Sequence, residues 1–286
     1  MKVSIVTPSY NQARFIGRTL QSVASQNSPD FEIEHVVFDG GSTDDTVEVL
    51  KHFGGSVRWV SKPDKGQAHA VNQGICSTNG EIIGWLNSDD IYYPDTIARV
   101  ITFFAANPHV DVVYGGGDHI NVDDHAFERY PSEPWDFQRL KENCFICQPA
   151  VFFRRNVVEK HGLLDESLNY CMDYEYWLRI GHAGVQMAYM DEVLAGSRLY
   201  SENKTLGARV MVHREINDML KNKFRKVPDR WIFNYAHAFV EEKMSQKNGR
   251  KVFAMKVGLV AVISSLYWNK RVSVSMLSEV KKWAFC

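Results

Sequence analysis

Through about the first 110 residues, short β-branched runs alternate with amphipathic segments, and the turns that close three of the four runs carry acids. Residues 3–7 end at Pro8, 35–38 at Asp39, 57–60 just before Pro63-Asp64, and 82–86 just before Asn87-Ser88-Asp89-Asp90. Runs of this length bounded by turn formers predict strands. The segments between them have helical spacing, with Phe15, Ile16, Leu20, Val23 and Ala24 on one face. Such alternation predicts an α/β fold with a mostly parallel sheet. Right-handed crossovers bring the ends of parallel strands to one rim. Asp39, Asp64 and Asp89 should therefore meet along the edge where open α/β sheets take ligands.

Asp89 and Asp90 are neighbouring carboxylates, which repel unless a cation or a hydrogen-bond network compensates them. Hard oxygen donors of this kind suit Mg2+ or Mn2+. One reading is a divalent metal that holds a phosphorylated ligand. The other is a helix cap and a solvated turn before Pro94. This segment alone does not separate them.

Farther along, Gly115-Gly116-Gly117 reads as a flexible break, 148–153 as a strand, and 173–180 as a helix with Asp173 near its start. Residues 185–190 should close the sheet. Helices are then expected over 206–226, 230–246, 252–268 and 272–284. The chain thus divides into a first domain, 1–205, and a C-terminal helical extension, 206–286. In that extension Phe253, Val257, Val260, Ala261, Ser264 and Trp268 share a face. That face suits a partner subunit in a homo-oligomer, a membrane surface, or packing on the first domain.

A formal net charge of −1 supplies no field for nucleic acid, and none is expected as a partner. The basic clusters at 221–226 and 247–251 suit either anionic lipid or a solvated helix face. Five cysteines at irregular spacing, with Cys144 and Cys147 three apart, do not make a disulfide framework and are expected as buried thiols. The chain opens directly into a strand, and its most apolar uncharged stretch, 257–269, is too short to span a bilayer. A cytoplasmic protein is expected, with peripheral contact on the inner face of the membrane left open.

Six motifs occur in order: Thr7-Pro8-Ser9-Tyr10-Asn11, Asp39-Gly40-Gly41-Ser42-Thr43-Asp44, Asp64-Lys65-Gly66-Gln67, Asn72-Gln73-Gly74, Leu86-Asn87-Ser88-Asp89-Asp90 and Asp173-Tyr174-Glu175-Tyr176-Trp177. Together they resemble the family 2 glycosyltransferases of the GT-A fold, over about residues 1–205. The resemblance implies transfer of a sugar from a nucleotide-diphosphate sugar to an acceptor hydroxyl, with inversion. It places Thr7, Pro8, Tyr10, Asp39, Asp64, Lys65, Gly66, Asn87 and Ser88 along the nucleotide. It makes Asp89, with Asp90 beside it, the site for Mn2+ or Mg2+, and Asp173 the general base. Trp177 would wall the acceptor, and Arg198 or Lys204 would reach the diphosphate.

Two departures from the family pattern stand out. Asn87 replaces the first acid of the DxD motif, and Tyr200-Ser201-Glu202 stands where relatives often carry a further metal-binding histidine. Neither Q-x-x-R-W nor a set of membrane-spanning segments is present, so transfer of single sugars is expected. A glycan or lipid-linked glycan in bacterial surface polysaccharide or glycolipid assembly is the implied acceptor. The rival readings are a sugar nucleotidyltransferase, which the missing glycine-rich basic loop after the first strand disfavours, and a nucleotide-sugar or glycan-binding scaffold without catalysis.

Overall fold

The computed structural model describes residues 1–243 and 249–285. It begins with β1 (Lys2–Ser9), α1 (Ile16–Ala24), β2 (Glu32–Asp39), α2 (Thr46–His52), β3 (Arg58–Ser61), α3 (Gln67–Ser77) and β4 (Ile82–Trp85). There follow β5 (Ile91–Tyr92), α4 (Thr96–Ala106), β6 (Val112–Ile120), β7 (Ala126–Arg129), α5 (Phe137–Glu142), β8 (Val151–Arg154), α6 (Arg155–His161), α7 (Met172–His182) and β9 (Met187–Arg198). The chain finishes in α8 (Lys204–Gly207), α9 (Arg209–Phe224), α10 (Asp229–Lys243), α11 (Arg250–Asn269) and α12 (Val274–Phe285). The end of the helix expected over 230–246, part of the 247–251 cluster and Cys286 lie outside the described residues.

The strands form one sheet in the order β3-β2-β1-β4-β8-β6-β9-β5, with β7 beside β6. β1, β2, β3 and β4 are mutually parallel, and β6 runs parallel to β9. β8 is antiparallel to both β4 and β6, so β6 and β9 point the same way as β1–β4. Parallel strands covered on both faces should be apolar throughout, and β1 and β4 are buried along nearly their whole length. One core gathers Val3, Ile5, Ile82, Ile97, Val100 and Phe104. A second gathers Ile16, Leu20, Val37, Leu50 and Val57.

The glycine triplet is not a break. It lies buried inside β6, where an added Cβ on Gly115 would come within 2.5 Å of Leu194, and one on Gly117 would collide with Cys147 Sγ. The glycines serve close approach of neighbouring chain rather than flexibility. Cys147 and Cys171 are buried, but Cys144 is only partly covered and Cys76 is exposed, so the cysteines do not share one environment. Ser9 and Asn11 do not cap α1, which starts later, at Ile16. Asn11 instead accepts from Thr43 N at 2.8 Å and donates its own N–H to Ser42 Oγ at 2.7 Å, joining the loops after β1 and β2.

Two compact units emerge: residues 1–136 with 145–200, and 137–144 with 201–286. The sequence boundary at 205 therefore moves to Tyr200/Ser201, and α5 joins the helical unit. Local pattern could not show this, because distant contacts hold α5. Trp231 Nε1 donates to Lys141 O at 3.0 Å, and the Phe137 and Phe224 rings lie 6.3 Å apart. In the same unit α11 packs on α9, α10 and α12. The residues from Lys251 to Asn269 form a helix long and apolar enough to cross a membrane by length and composition, which corrects the shorter uncharged stretch read from sequence. The helix continues past Lys256, where that stretch stopped.

His35, on β2, is buried with its Nε2 3.0 Å from Thr7 Oγ1. Burial pushes its pKa from 6.5 down to about 3. Between those values the unfolded chain binds the proton and the folded chain does not. Stability is therefore complete above pH 6.5 and drains away as pH falls towards about 3. His35→Gln, which keeps a partner for Thr7, is expected to remove on the order of 4 kcal/mol of that acid sensitivity. Urea unfolding across the pH range checks it.

Candidate active site

The loops after the parallel strands are fastened to one another side by side. Asp39, at the end of β2, is buried and accepts from Ser42 N at 2.9 Å, Gly41 N at 3.2 Å and Ser61 Oγ at 2.6 Å, and also from Ser42 Oγ. Three of these bonds fall on Oδ2 and one on Oδ1, so Oδ1 keeps a second acceptor position. Asp64 accepts from Gly66 N at 2.7 Å, and a Cβ on Gly40 would come 3.0 Å from Asp64 Oδ2. Gly66 has φ +113°, with open space where a Cβ would stand, so backbone geometry demands glycine here. Lys65 and Tyr10 are exposed at this edge. Thr7, Pro8 and Ser88 are buried, so they support the rim from beneath and do not line its surface.

The next link is Gln67, whose Nε2 donates to Asn87 Oδ1 at 2.8 Å. Trp85 Nε1 donates to the same oxygen at 2.9 Å. Asn87 Nδ2 in turn donates to Asp90 Oδ2 at 3.2 Å and to Gln148 Oε1 at 2.8 Å. The indole N–H can only donate, which fixes the orientation of the amide. All four hydrogen-bonding positions of Asn87 are occupied, so it does not serve a ribose hydroxyl or a metal-bound water. The missing acid has a physical reason: a carboxylate at position 87 would set oxygen against Asp90 and Gln148. Asn87→Asp is therefore expected to destabilise the protein by about 1–3 kcal/mol without tighter metal binding. Thermal unfolding and Mn2+ titration of the variant check both parts.

Asp90 is buried, with Oδ1 accepting from Arg198 N at 2.8 Å and Oδ2 from Asn87. Burial and the adjacent Asp89 hold its pKa well above the usual carboxylate range. It anchors the loop, which corrects its reading as a metal ligand. Asp89 differs. It is half-buried, its pKa is raised by burial, and Oδ2 accepts from Tyr200 OH at 3.0 Å. No other side chain among the described residues donates to it. Among those residues no three His, Cys, Asp or Glu side chains are grouped to hold a metal ion. The donor set therefore fits a Mg2+ or Mn2+ ion shared with ligand phosphates, held on the protein side by Asp89, and not an all-protein cage.

Arg198 does not reach for a ligand. Its buried guanidinium donates from Nε to Asp89 O at 2.7 Å, from Nη1 to Asn121 O at 2.6 Å and from Nη2 to Asp124, and it lies 4.7 Å from the Phe15 ring centroid. It braces the Asp89 loop from behind. Trp177 is likewise buried, its ring 5.4 Å from Tyr176 and 6.3 Å from Phe153, so it is core and not an acceptor wall. Lys204 lies exposed in the second unit.

Asp173 stands in the first turn of α7, half-buried, with Oδ1 accepting from Tyr174 N at 2.7 Å. Residues 183–186 link α7 to the start of β9. The C-terminus of α7 therefore lies close to the start of β9. The loop before it is held by Asn72, which donates to Leu164 O at 3.0 Å and Glu166 Oε1 at 2.9 Å and accepts from Leu164 N at 3.0 Å. Sequence reasoning gave no role to the supporting residues Gln67, Gln148, Tyr200 and Thr19; the last donates to Ser88 O at 2.9 Å and Asp90 O at 2.8 Å. Two of them carried a signal, Gln67 as the last residue of the Asp64–Gln67 motif and Tyr200 as a departure from the family pattern.

Comparison with known proteins bears on this geometry. A glycosyltransferase of Rickettsia prowazekii (strain Madrid E) is 31% identical over 217 residues, covering 71% of this chain and 65% of the relative. The chain thus spans just under two thirds of that relative's length. Residues 1–349 of TarS from S. aureus, crystallised with UDP-GlcNAc, superpose with a TM-score of 0.64 at 17% identity, covering 100% of this chain and 91% of the other. The mannosyltransferase PcManGT of Pyrobaculum calidifontis, in complex with GDP-Man and Mn2+, gives 0.61 at 19% identity, covering 99% and 79%. These neighbours share the GT-A fold. The family model described as glycosyl transferase family 2 matches residues 4–162, more than half of the sequence, and the chain belongs to that family.

Proposed function

We propose that the protein moves a single sugar from a nucleotide-diphosphate sugar to a hydroxyl of a glycan or lipid-linked glycan, with inversion, in bacterial surface polysaccharide or glycolipid assembly. The observation that supports this reading best is the family match over residues 4–162, with Asp89 and Asp173 left as half-buried carboxylates that in this reading face one cleft. Support for the donor comes from family membership and from neighbours crystallised with UDP-GlcNAc and GDP-Man.

In this reading the exposed loop 64–66 and Tyr10 flank the nucleoside, and Asp89 faces the diphosphate. A bound Mg2+ or Mn2+ ion would neutralise the charge that builds on the leaving phosphate. Asp173 receives the acceptor's proton. A free aspartate has a pKa near ~3.9, far below that of an alcohol, so the hydroxyl gives up its proton late, as attack on the anomeric carbon makes it acidic. Direct displacement needs no covalent intermediate on the enzyme. Tyr200 orients Asp89 through its hydroxyl, and Arg198 holds the backbone beneath it.

Incubation with UDP-, GDP- and dTDP-sugars tests the proposal. One donor class is expected to raise the melting temperature and to be hydrolysed slowly without acceptor. EDTA is expected to suppress turnover, and Mn2+ or Mg2+ to restore it. A protein that binds a donor but never cleaves it would be a scaffold, and one that binds none would refute the reading.

A further inference from the structure

Helix α11 is apolar on two opposite faces, and only one of them is packed. Val257, Ala261, Ser264, Ser265 and Trp268 are buried against the rest of the helical unit. The face expected from sequence to meet a partner is therefore mostly inside. On the other side Val252, Met255, Leu259, Ile263, Leu266 and Tyr267 are exposed. The central members Met255, Leu259 and Ile263 leave 58–61% of their surface uncovered. At about 100° per residue these six fall within an arc of roughly 120°, centred opposite the buried row. Val274, 84% exposed, and Leu277 lie beyond the helix end on α12. Monomeric proteins seldom present a continuous apolar strip of this kind without a use for it.

Charge decides what covers it. Residues 251–278 contain Lys251, Lys256, Lys270 and Arg271 and no Asp or Glu, within a chain whose net charge is −1. Lys256 falls on the exposed arc itself, Lys270 follows at the end of the helix, and all four basic residues are exposed. A second copy docked by two-fold symmetry would set this basic strip against itself. An anionic bilayer takes up both features, with the apolar side chains at the acyl boundary and the cations at the headgroups. The helix cannot cross the bilayer while its other face is packed on the protein.

We infer that α11 is a membrane-docking surface, lying in the plane of an anionic lipid interface on the strip from Val252 to Tyr267. The inference is independent of the sugar-transfer reading, since it rests on the exposed face of α11 and on none of the residues argued for sugar transfer.

Co-sedimentation of the full chain with phosphatidylcholine vesicles, with and without phosphatidylglycerol, tests it. Binding is expected on the anionic vesicles and is expected to weaken at high salt and on pure phosphatidylcholine. Leu259→Gln/Ile263→Gln, which keeps helix propensity and leaves the buried face intact, is expected to lower vesicle affinity about tenfold or more. Lys256→Gln/Lys270→Gln is expected to lower it through charge alone, so a folding defect in one pair cannot explain both. Circular dichroism melts should match the parent for each variant. Three results would overturn the proposal: no retention on phosphatidylglycerol vesicles, undiminished binding of both variants, or self-association that Leu259→Gln/Ile263→Gln abolishes in a protein that ignores vesicles.

Discussion

Asp173→Asn is expected to lower the transfer rate by about 10²–10⁴-fold while donor affinity stays at the parental level. The size follows from removing the proton acceptor, and the selectivity follows from structure. Asp173 Oδ1 accepts from Tyr174 N in the first turn of α7, and an asparagine oxygen can take the same bond. Asp173 is not the N-cap of α7, which is Cys171, so no capping bond is lost. The helix and the Asn72-held loop before it should remain in place, which a melting curve of the variant checks. Steady-state kinetics with calorimetric measurement of donor binding separates the two effects. An Asp173→Asn variant as fast as the parent would remove Asp173 from the reaction.

Arg198→Met is expected to be the most destabilising single change at this edge, by about 3–5 kcal/mol. For a chain of this size that corresponds to a fall in Tm on the order of 10 °C. Methionine fills much of the volume but leaves Asp89 O without its donor, Asn121 O with only the Asp124 N–H, and the Asp124 carboxylate with only Arg18. Lysine cannot replace the fork of three donors with one ammonium, so Arg198→Lys should also be costly. A thermal melt read beside donor affinity distinguishes the alternatives. If Arg198 gripped the diphosphate instead, affinity would fall at constant Tm.

What was legible in the sequence was whatever depends on order and period. Strands buried on both faces must be apolar runs, so β1, β2 and β4 announced themselves, and acids placed just after such runs had to meet at one edge. What was not legible is whether a polar group there points out or is already satisfied. Arg198, Asn87 and Asp90 look like ligand-binding residues in one dimension, yet their partners come from as far off as Asp124 and Gln148. Trp177 reads as a wall until its neighbours Phe153 and Tyr176 are known. The Gly115–117 triplet reads as a hinge because close approach by Leu194 and Cys147 is a long-range fact. In α11 periodicity was silent about which side faces in, because both sides are apolar.

Asn87 carries a consequence for the ligand-free enzyme. By bridging Asp90 and Gln148 with a neutral amide, it spares the loop a third anion that would otherwise await a counterion. The cleft is therefore preorganised by amide chemistry before any ion arrives. Chelation should silence turnover while the melting curve hardly moves, so that cation loading acts as a reversible gate on activity and not as a folding step.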